Sequence, residues 1–217
     1  MKTFISLLTL VICSAFFSRA ADEAAPVRVA CVGDSITFGH GVADRAKNSY
    51  PAVLGQLLGA KYQTKNFGNS GATLLKKGDK PYWGLAEFKQ AREDAPGIVV
   101  IKLGTNDSKP QNWKHREDFA ADLAALVDHF AALPSKPKIF LCLPVPVYRT
   151  QWGINEAVVA GEIIPLIKKV AAEKKAGVID LHAALAGRPE LFPDHVHPNA
   201  AGAKLIAQAV QAAIAGK

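Results

Sequence analysis

Cysteine is scarce in this chain of 217 residues, which contains only Cys13, Cys31 and Cys142. So few cysteines exclude the disulfide-dense scaffolds of small secreted domains. Cys31 and Cys142 each lie inside an apolar stretch. If a third strand separates theirs, their backbones are about 9 to 10 Å apart, because neighbouring strands lie about 4.8 Å apart. That distance is too long for a disulfide, so we expect two buried free thiols.

Long apolar runs are also lacking after the first twenty residues. The one run near the start, TFISLLTLVICSAFF, is too short to span a bilayer, follows the positively charged Lys2 and is followed by small residues. This pattern is typical of a secretory signal peptide. We predict such a signal over residues 1–20 and a single domain over residues 21–217. The protein is therefore expected to be secreted or periplasmic, with no stable membrane anchor after cleavage.

The chain has no concentrated run of one charge. It holds 26 Lys and Arg against 19 Asp and Glu; removal of the predicted signal takes away Lys2 and Arg19 and leaves a net charge of +5. The lysines are scattered, whereas nucleic-acid-binding proteins concentrate basic residues in a stripe or a run. A glycine-rich phosphate loop with a Lys-Ser ending is also absent from the sequence. We therefore expect no nucleic-acid partner and no bound nucleotide.

Short segments rich in Val and Ile alternate with longer amphipathic segments. The short segments are VRVACV (27–32), YQTKNF (62–67), GIVVIKL (97–103), KIFLCLPV (138–145) and GVIDL (177–181). In the helical segment REDFAADLAALVDHFAAL, apolar residues recur at three- and four-residue spacing, which puts them on one face: Phe119, Leu123, Leu126, Val127 and Phe130. Strands alternating with helices predict an α/β fold with a parallel sheet covered on both sides. The length suits one core.

Polar motifs follow the first three predicted strands. Gly33-Asp34-Ser35 follows the first, Gly71 lies after the second, and Asn106 lies after the third. Ligands bind beyond the carboxyl ends of the strands in such sheets. A serine there can act as a nucleophile, and a glycine N–H and a side-chain amide are donors suited to an oxyanion hole. Taken alone, each motif is also consistent with an ordinary turn or helix cap.

A second reactive pair lies near the C-terminal end, in the segment LFPDHVHPNAAGA. Asp194 and His197 are three residues apart, a spacing that lets the carboxylate accept a hydrogen bond from the imidazole. The pair would provide an oriented base for a serine. His195 between them is interpreted as an exposed histidine without a role. Such a set of residues requires no metal and no organic cofactor.

These blocks together resemble the SGNH or GDSL hydrolases, in their order and approximate spacing and over nearly the whole predicted mature chain. The blocks are Gly33-Asp34-Ser35, Gly71 within NSGAT, GTND at 104–107 and DHVHP at 194–198. The resemblance implies a flavodoxin-like three-layer α/β/α sandwich with a five-stranded parallel sheet of order 2-1-3-4-5. Ile36 stands where the family's nickname has leucine, which puts no catalytic role in doubt.

The resemblance also implies a role for each matching residue. Ser35 would be the nucleophile, His197 the base and Asp194 its orienting partner. The N–H groups of Ser35 and Gly71 and the side-chain amide of Asn106 would form the oxyanion hole.

All three tryptophans fall in loops that follow predicted strands. We predict that Trp83, Trp113 and Trp152, together with Tyr148, bind substrate at the edge of the site, since indole rings stack on sugars or hold aryl groups. Packing of their own loops is the alternative.

The loops LLKKGDKPYWG and SKPQNWKHRED are polar, whereas a lipid esterase would use an apolar lid. We therefore expect hydrolysis of short acyl groups, as in the carbohydrate acetylesterase branch that the chain resembles, with small-molecule or glycan esters as substrates. A lysophospholipase or other longer-chain esterase, and a catalytically inactive carbohydrate-binding relative, remain the alternatives. Basic residues in these loops raise the further hypothesis of an acidic sugar: Lys76, Lys77, Lys80, Lys109, Lys114 and Arg149.

Overall fold

A computed structural model describes residues 25–216. The predicted signal peptide, residues 1–20, lies outside the described residues. Within them, no helix is both long enough and apolar enough to cross a membrane.

The described residues contain one parallel sheet of five strands in the order β2-β1-β3-β4-β5. The strands are β1 (Val27–Gly33), β2 (Tyr62–Gly68), β3 (Ile98–Lys102), β4 (Lys138–Leu143) and β5 (Gly177–Asp180). This architecture confirms the predicted fold class and strand order. Each predicted strand is present, and the differences are confined to the ends.

Helices connect the strands and cover both faces of the sheet. They are α1 (Ser35–Phe38), α2 (Arg45–Asn48), α3 (Tyr50–Leu58), α4 (Ala86–Glu93), α5 (Pro110–Trp113), α6 (Phe119–Ala131), α7 (Glu156–Val158), α8 (Ile164–Lys174), α9 (Leu181–Ala184) and α10 (Ala200–Ala215). A π-helical turn over Val159–Ile163 joins α7 to α8. Short 3-10 turns lie at Tyr82–Gly84, Asn106–Ser108, Arg116–Asp118 and Pro189–Leu191.

The core has two layers, one on each face of the sheet. Successive strand residues point to opposite faces, so Ala30 and Val32 pack with α4, α6 and α8, while Val29 and Cys31 pack with α3 and α10. Strands buried on both faces are continuously apolar for this reason. The sandwich brings the loops after β1, β2, β3 and β4 to one edge of the sheet.

The two described cysteines are buried free thiols, as the strand separation predicted. Cys31 lies in β1 and Cys142 in β4, with β3 between them. Burial raises the pKa of Cys142 to about 12 and raises that of Cys31 further, so neither thiol ionises readily near neutral pH.

Candidate active site

Ser35 lies where β1 turns sharply into α1, at the carboxyl edge of the sheet. A side chain at Gly33 would collide with Thr37 and would come within 2.6 Å of the carbonyl oxygen of Lys102, so the turn requires glycine at that position. The carboxylate of Asp34 accepts a hydrogen bond from the Ile36 N–H at 2.9 Å and caps the helix. The hydroxyl of Ser35 therefore projects from a tightly fixed turn.

A fully buried ion pair lies beneath this turn. The ammonium group of Lys102, at the end of β3, is 3.0 and 3.2 Å from the two carboxylate oxygens of Asp34. Lys102 also donates to the Thr105 hydroxyl at 2.6 Å. Neither Lys102 nor Asp34 has any exposed surface, so their charges are compensated by these contacts rather than by water. The pair ties the turn that carries Ser35 to the loop that carries Asn106.

Ser35, His197 and Asp194 form a hydrogen-bonded chain across the edge of the sheet. The Ser35 Oγ lies 2.8 Å from His197 Nε2, and His197 Nδ1 lies 2.8 Å from Asp194 Oδ2. The other oxygen of Asp194 accepts hydrogen bonds from the backbone N–H groups of Val196 and His197. These contacts orient the imidazole with one nitrogen toward the carboxylate and the other toward the serine, as a Ser-His-Asp triad requires.

The surroundings of the pair favour a charged carboxylate and a neutral imidazole. Burial lowers the pKa of His197, and this effect outweighs the opposite effect of Asp194. Burial raises the pKa of Asp194, but the hydrogen bonds from His197 and Val196 outweigh it and the pKa is lowered. His197 is therefore neutral near pH 7 and able to accept a proton from Ser35.

Gly71 and Asn106 lie beside Ser35, in the loops after β2 and β3. Gly71 has φ of +85°, in the left-handed region that favours glycine, and its N–H donates to no group of residues 25–216. The Asn106 amide donates one hydrogen bond to the carbonyl of Ala72 at 3.1 Å, which leaves its second N–H for another acceptor.

Buried Asp107 joins the loops that carry these two residues. Its carboxylate accepts hydrogen bonds from the N–H groups of Leu74 and Leu75 at 3.0 and 2.8 Å. Burial raises the pKa of Asp107 to about 6 in spite of these hydrogen bonds. Asp107 thus joins the two loops in addition to the hydrogen bond from Asn106 to the Ala72 carbonyl.

A cavity of about 280 Å³ opens above these groups. It is lined by Ser35, His40, Ser70, Gly71, Asn106, Lys109, Trp152, Ile154 and His197. The ring of Trp152 lies 5.6 Å from that of His197, centre to centre, and the ring of His40 lies 4.6 Å from it on the exposed side. The catalytic candidates thus share one cavity with an indole, an imidazole and a lysine.

Trp83, Trp113 and Tyr148 do not line this cavity, whereas Trp152 does, and their part in substrate binding stays a prediction. Trp83 packs against the core and donates its indole N–H to the Leu74 carbonyl. Trp113 is only 5% exposed and donates to the Glu162 carboxylate at 3.0 Å. Tyr148 donates its hydroxyl to the Leu185 carbonyl. Each polar group of these rings is satisfied by the protein, which turns the side chain inward.

Sequence reasoning missed the Asp34–Lys102 ion pair, and it gave no role to His40, Ser70 or Ile154. A signal for the pair was present, because Lys102 ends an otherwise apolar strand and a lysine buried in a sheet requires an anionic partner. No comparable signal marked the other three.

His40, Asp194 and His197 are also the described residues that come close enough together to be considered as metal ligands, with one candidate ligand atom from each within 4.8 Å of the others. Both ring nitrogens of His197 already face Ser35 and Asp194. A metal ion bound by this histidine would break the hydrogen-bonded chain, so the geometry fits proton transfer better than metal binding.

The fold and the site define a three-layer α/β/α sandwich with a serine, a histidine and an aspartate at the edge of its sheet. A sequence profile of the GDSL-like lipase/acylhydrolase family matches residues 31–205. The chain therefore belongs to that family.

Individual relatives agree with this placement. The chain is 43% identical to an acetylxylan esterase from Xylanibacter ruminicola over 87% of this chain and 43% of that protein. It is 26% identical to a multidomain esterase from Ruminococcus flavefaciens over 85% of this chain and 28% of that protein. The chain thus spans less than half the length of these curated relatives. A solved carbohydrate acetylesterase from Sinorhizobium meliloti shares the fold, with a TM-score of 0.72 at 20% identity over 88% of this chain and 99% of that one.

Proposed function

We propose that this protein hydrolyses short-chain esters, above all O-acetyl groups on carbohydrates, with Ser35 as the nucleophile. The observation that carries the proposal is the hydrogen-bonded chain from Ser35 through His197 to Asp194 at the wall of an open cavity. Relatives named as an acetylxylan esterase and a carbohydrate acetylesterase support the choice of ester.

The reaction would proceed in two acyl transfers. His197 Nε2 takes the proton of Ser35 as the serine oxygen attacks the ester carbonyl carbon, and a tetrahedral intermediate forms. When this intermediate collapses, the bond to the sugar oxygen breaks and His197 returns the proton to the leaving alcohol. Water, activated by the same histidine, then attacks the acetyl-serine and releases acetate.

The oxyanion of each intermediate would be held by three donors from residues that line the cavity: the N–H groups of Ser35 and Gly71 and the free N–H of the Asn106 amide. None of these donors is used by the described residues in another hydrogen bond. Donors that are fixed before the reaction need no reorganisation when negative charge develops on the oxygen.

The size of the cavity favours a short acyl group. Its volume of about 280 Å³ lies at the lower limit for sites that hold small organic ligands. The lining also includes Trp152 and Lys109. The Trp152 ring can stack on the apolar face of a sugar, and Lys109 can contact its polar groups.

The proposed substrate also agrees with the proposed location. Acetylated plant and microbial polysaccharides lie outside the cytoplasm, and the leading segment of the sequence has the pattern of a secretory signal. We therefore propose that the protein acts after export.

Hydrolysis of p-nitrophenyl acetate, butyrate, octanoate and palmitate by the purified protein tests this function. We expect the highest kcat/KM on acetate, a decline with chain length, and no measurable turnover by Ser35→Ala. Ser135→Ala is the matched control, because this exposed serine precedes β4 at the opposite end of the sheet.

Two outcomes would contradict the proposal. A preference for octanoate or palmitate would indicate a longer-chain acyl esterase. Binding of acetylated oligosaccharides without turnover of any ester would indicate a carbohydrate-binding relative that has lost catalysis.

A further inference from the structure

A second cavity lies next to the one that holds Ser35. Its volume is about 370 Å³, within the usual range for a bound small molecule. Its lining includes Pro110, Trp113, Lys114, Arg116, Asn155 and Glu162. None of these residues takes part in the proposed ester hydrolysis.

The two cavities share a wall made by two short segments, residues 108–110 and 152–155. Lys109 and Ile154 line the first cavity, while Ser108, Pro110 and Asn155 line the second. The Asn155 N–H donates to the Ser108 hydroxyl at 3.1 Å, which holds the segments together. Residues adjacent in the chain therefore line the two cavities, which places the cavities side by side.

The second cavity has an excess of positive charge. Lys114 and Arg116 are exposed at its rim and form no ion pair with a carboxylate of residues 25–216. The one acidic residue of the lining, Glu162, accepts the indole N–H of Trp113 at 3.0 Å. Lys109 adds a third cation on the other side of the shared wall. Two basic side chains without acidic partners are suited to a carboxylate ligand.

We propose that the second cavity is a glycan subsite that binds a carboxylate-bearing sugar next to the acetylated one. The acidic sugar would place its carboxylate against Arg116 and Lys114 and its ring against Pro110. Arginine suits this contact because its planar guanidinium can donate two parallel hydrogen bonds to one carboxylate. The subsite rests on the proposed function, since it names the kind of glycan that would carry the ester.

Binding to the Ser35→Ala variant tests the subsite without any turnover. We would titrate that variant by calorimetry at low salt with two ligands: xylotriose bearing one glucuronate, and neutral xylotetraose. The acidic ligand is expected to bind about three- to tenfold more tightly, because two exposed charge contacts each contribute modestly. The preference should shrink strongly at about 0.5 M salt, where exposed charges are screened.

Substitutions then locate the carboxylate. Adding Lys114→Gln and Arg116→Gln to Ser35→Ala should remove the preference for the acidic ligand. Adding Lys61→Gln instead should leave the preference intact, because this exposed lysine precedes β2 at the opposite end of the sheet. The thermal unfolding midpoint of each variant checks that it is folded.

Several results would overturn the subsite. Equal affinity for the two ligands at low salt would remove the charge argument. A preference that survives the double substitution but is lost on Lys109→Gln would place the carboxylate in the cavity of Ser35. Turnover of p-nitrophenyl acetate by the unaltered enzyme is measured separately, so that a failure of the ester-hydrolysis proposal is distinguishable from a failure of the subsite.

Discussion

The catalytic candidates and Trp152 border the same cavity but are held in opposite ways. Ser35, Asn106 and His197 are each less than 9% exposed, and every one makes at least one hydrogen bond within the protein. Trp152 is 55% exposed, and its indole N–H donates to no group of residues 25–216. Its backbone also has a φ of +50°, in the left-handed region that is uncommon for a bulky residue.

The difference in burial matches the two tasks that we propose for these residues, proton transfer and sugar binding. Groups that handle charge and protons must be fixed before the substrate arrives, because reorganising them during the reaction costs rate. A ring that holds a sugar gains from exposed surface that the ligand can cover. The inner wall of the cavity, formed by Ser35, Asn106 and His197, is accordingly held by polar contacts. The outer wall, formed by Trp152, offers an exposed indole face.

The largest expected effect comes from breaking the ion pair beneath the inner wall. Lys102→Met should lower the free energy of unfolding by about 3 to 5 kcal/mol, because Asp34 would remain as an uncompensated buried charge. Denaturant unfolding of the variant and the unaltered protein measures the change. In the double variant with Asp34→Asn, much of this stability should return, since the buried charge is gone and the asparagine oxygen can still cap Ile36. Equal stability of Lys102→Met and the unaltered protein would show that the pair does not hold the turn.

The next effect concerns the donors of the inner wall. Asn106→Ala should reduce kcat on p-nitrophenyl acetate by a factor on the order of 10² to 10³, with KM nearly unchanged, because the lost N–H acts on the transition state. Steady-state kinetics measure this ratio. Asn48→Ala is the matched control, since Asn48 lies in α2 and its amide bonds to the Ala43 carbonyl away from the cavity. A loss of less than tenfold in kcat would remove Asn106 from the oxyanion hole.

Much of the fold followed from the sequence because its signals are local and repeated. The apolar runs that became β1 to β5 alternate with amphipathic segments, and parallel strands with right-handed crossovers leave few ways to arrange them. The same logic placed Ser35, Gly71 and Asn106 at one edge of the sheet. The structure has Ser35, His197 and Asp194 within hydrogen-bond distance, and their catalytic roles stay predictions.

The tryptophans show what the sequence pattern leaves undetermined. Position after a strand determines the edge of the sheet at which a loop lies, but not the direction in which a side chain points. Trp83 and Trp113 found acceptors for their indole N–H groups inside the protein, at Leu74 and Glu162. The first acceptor is a backbone carbonyl, and the second lies 49 residues further along the chain. No local pattern of residue types predicts either of them.

The outer wall is tested by removing its ring. Trp152→Ala should raise KM for an acetylated xylo-oligosaccharide about tenfold, because the ring face that a sugar would cover is lost. The kcat/KM on p-nitrophenyl acetate should change much less, since its leaving group is a single nitrophenol ring that covers less of the indole than an oligosaccharide would. Trp152→Phe, which keeps an aromatic face, should recover most of the affinity. If both variants keep the KM of the unaltered enzyme on the oligosaccharide, Trp152 does not contact the sugar.

The smallest expected effect lies at the border between the two walls, where exposed His40 faces buried His197. Burial lowers the pKa of His197 below its ordinary value of about 6.5, and a positive charge on His40 lowers it further, while Asp194 and the more distant Asp34 raise it. Only neutral His197 can accept the Ser35 proton, so kcat/KM should fall as the pH drops through this pKa. His40→Gln removes a side chain whose electrostatic effect lowers the pKa of His197, so the substitution should move that acid limb to higher pH. The shift should be less than about one pH unit, because solvent screens an exposed charge. A pH profile of kcat/KM on p-nitrophenyl acetate measures the shift. A limb that moves to lower pH would mean that His40 stabilises the protonated imidazole instead.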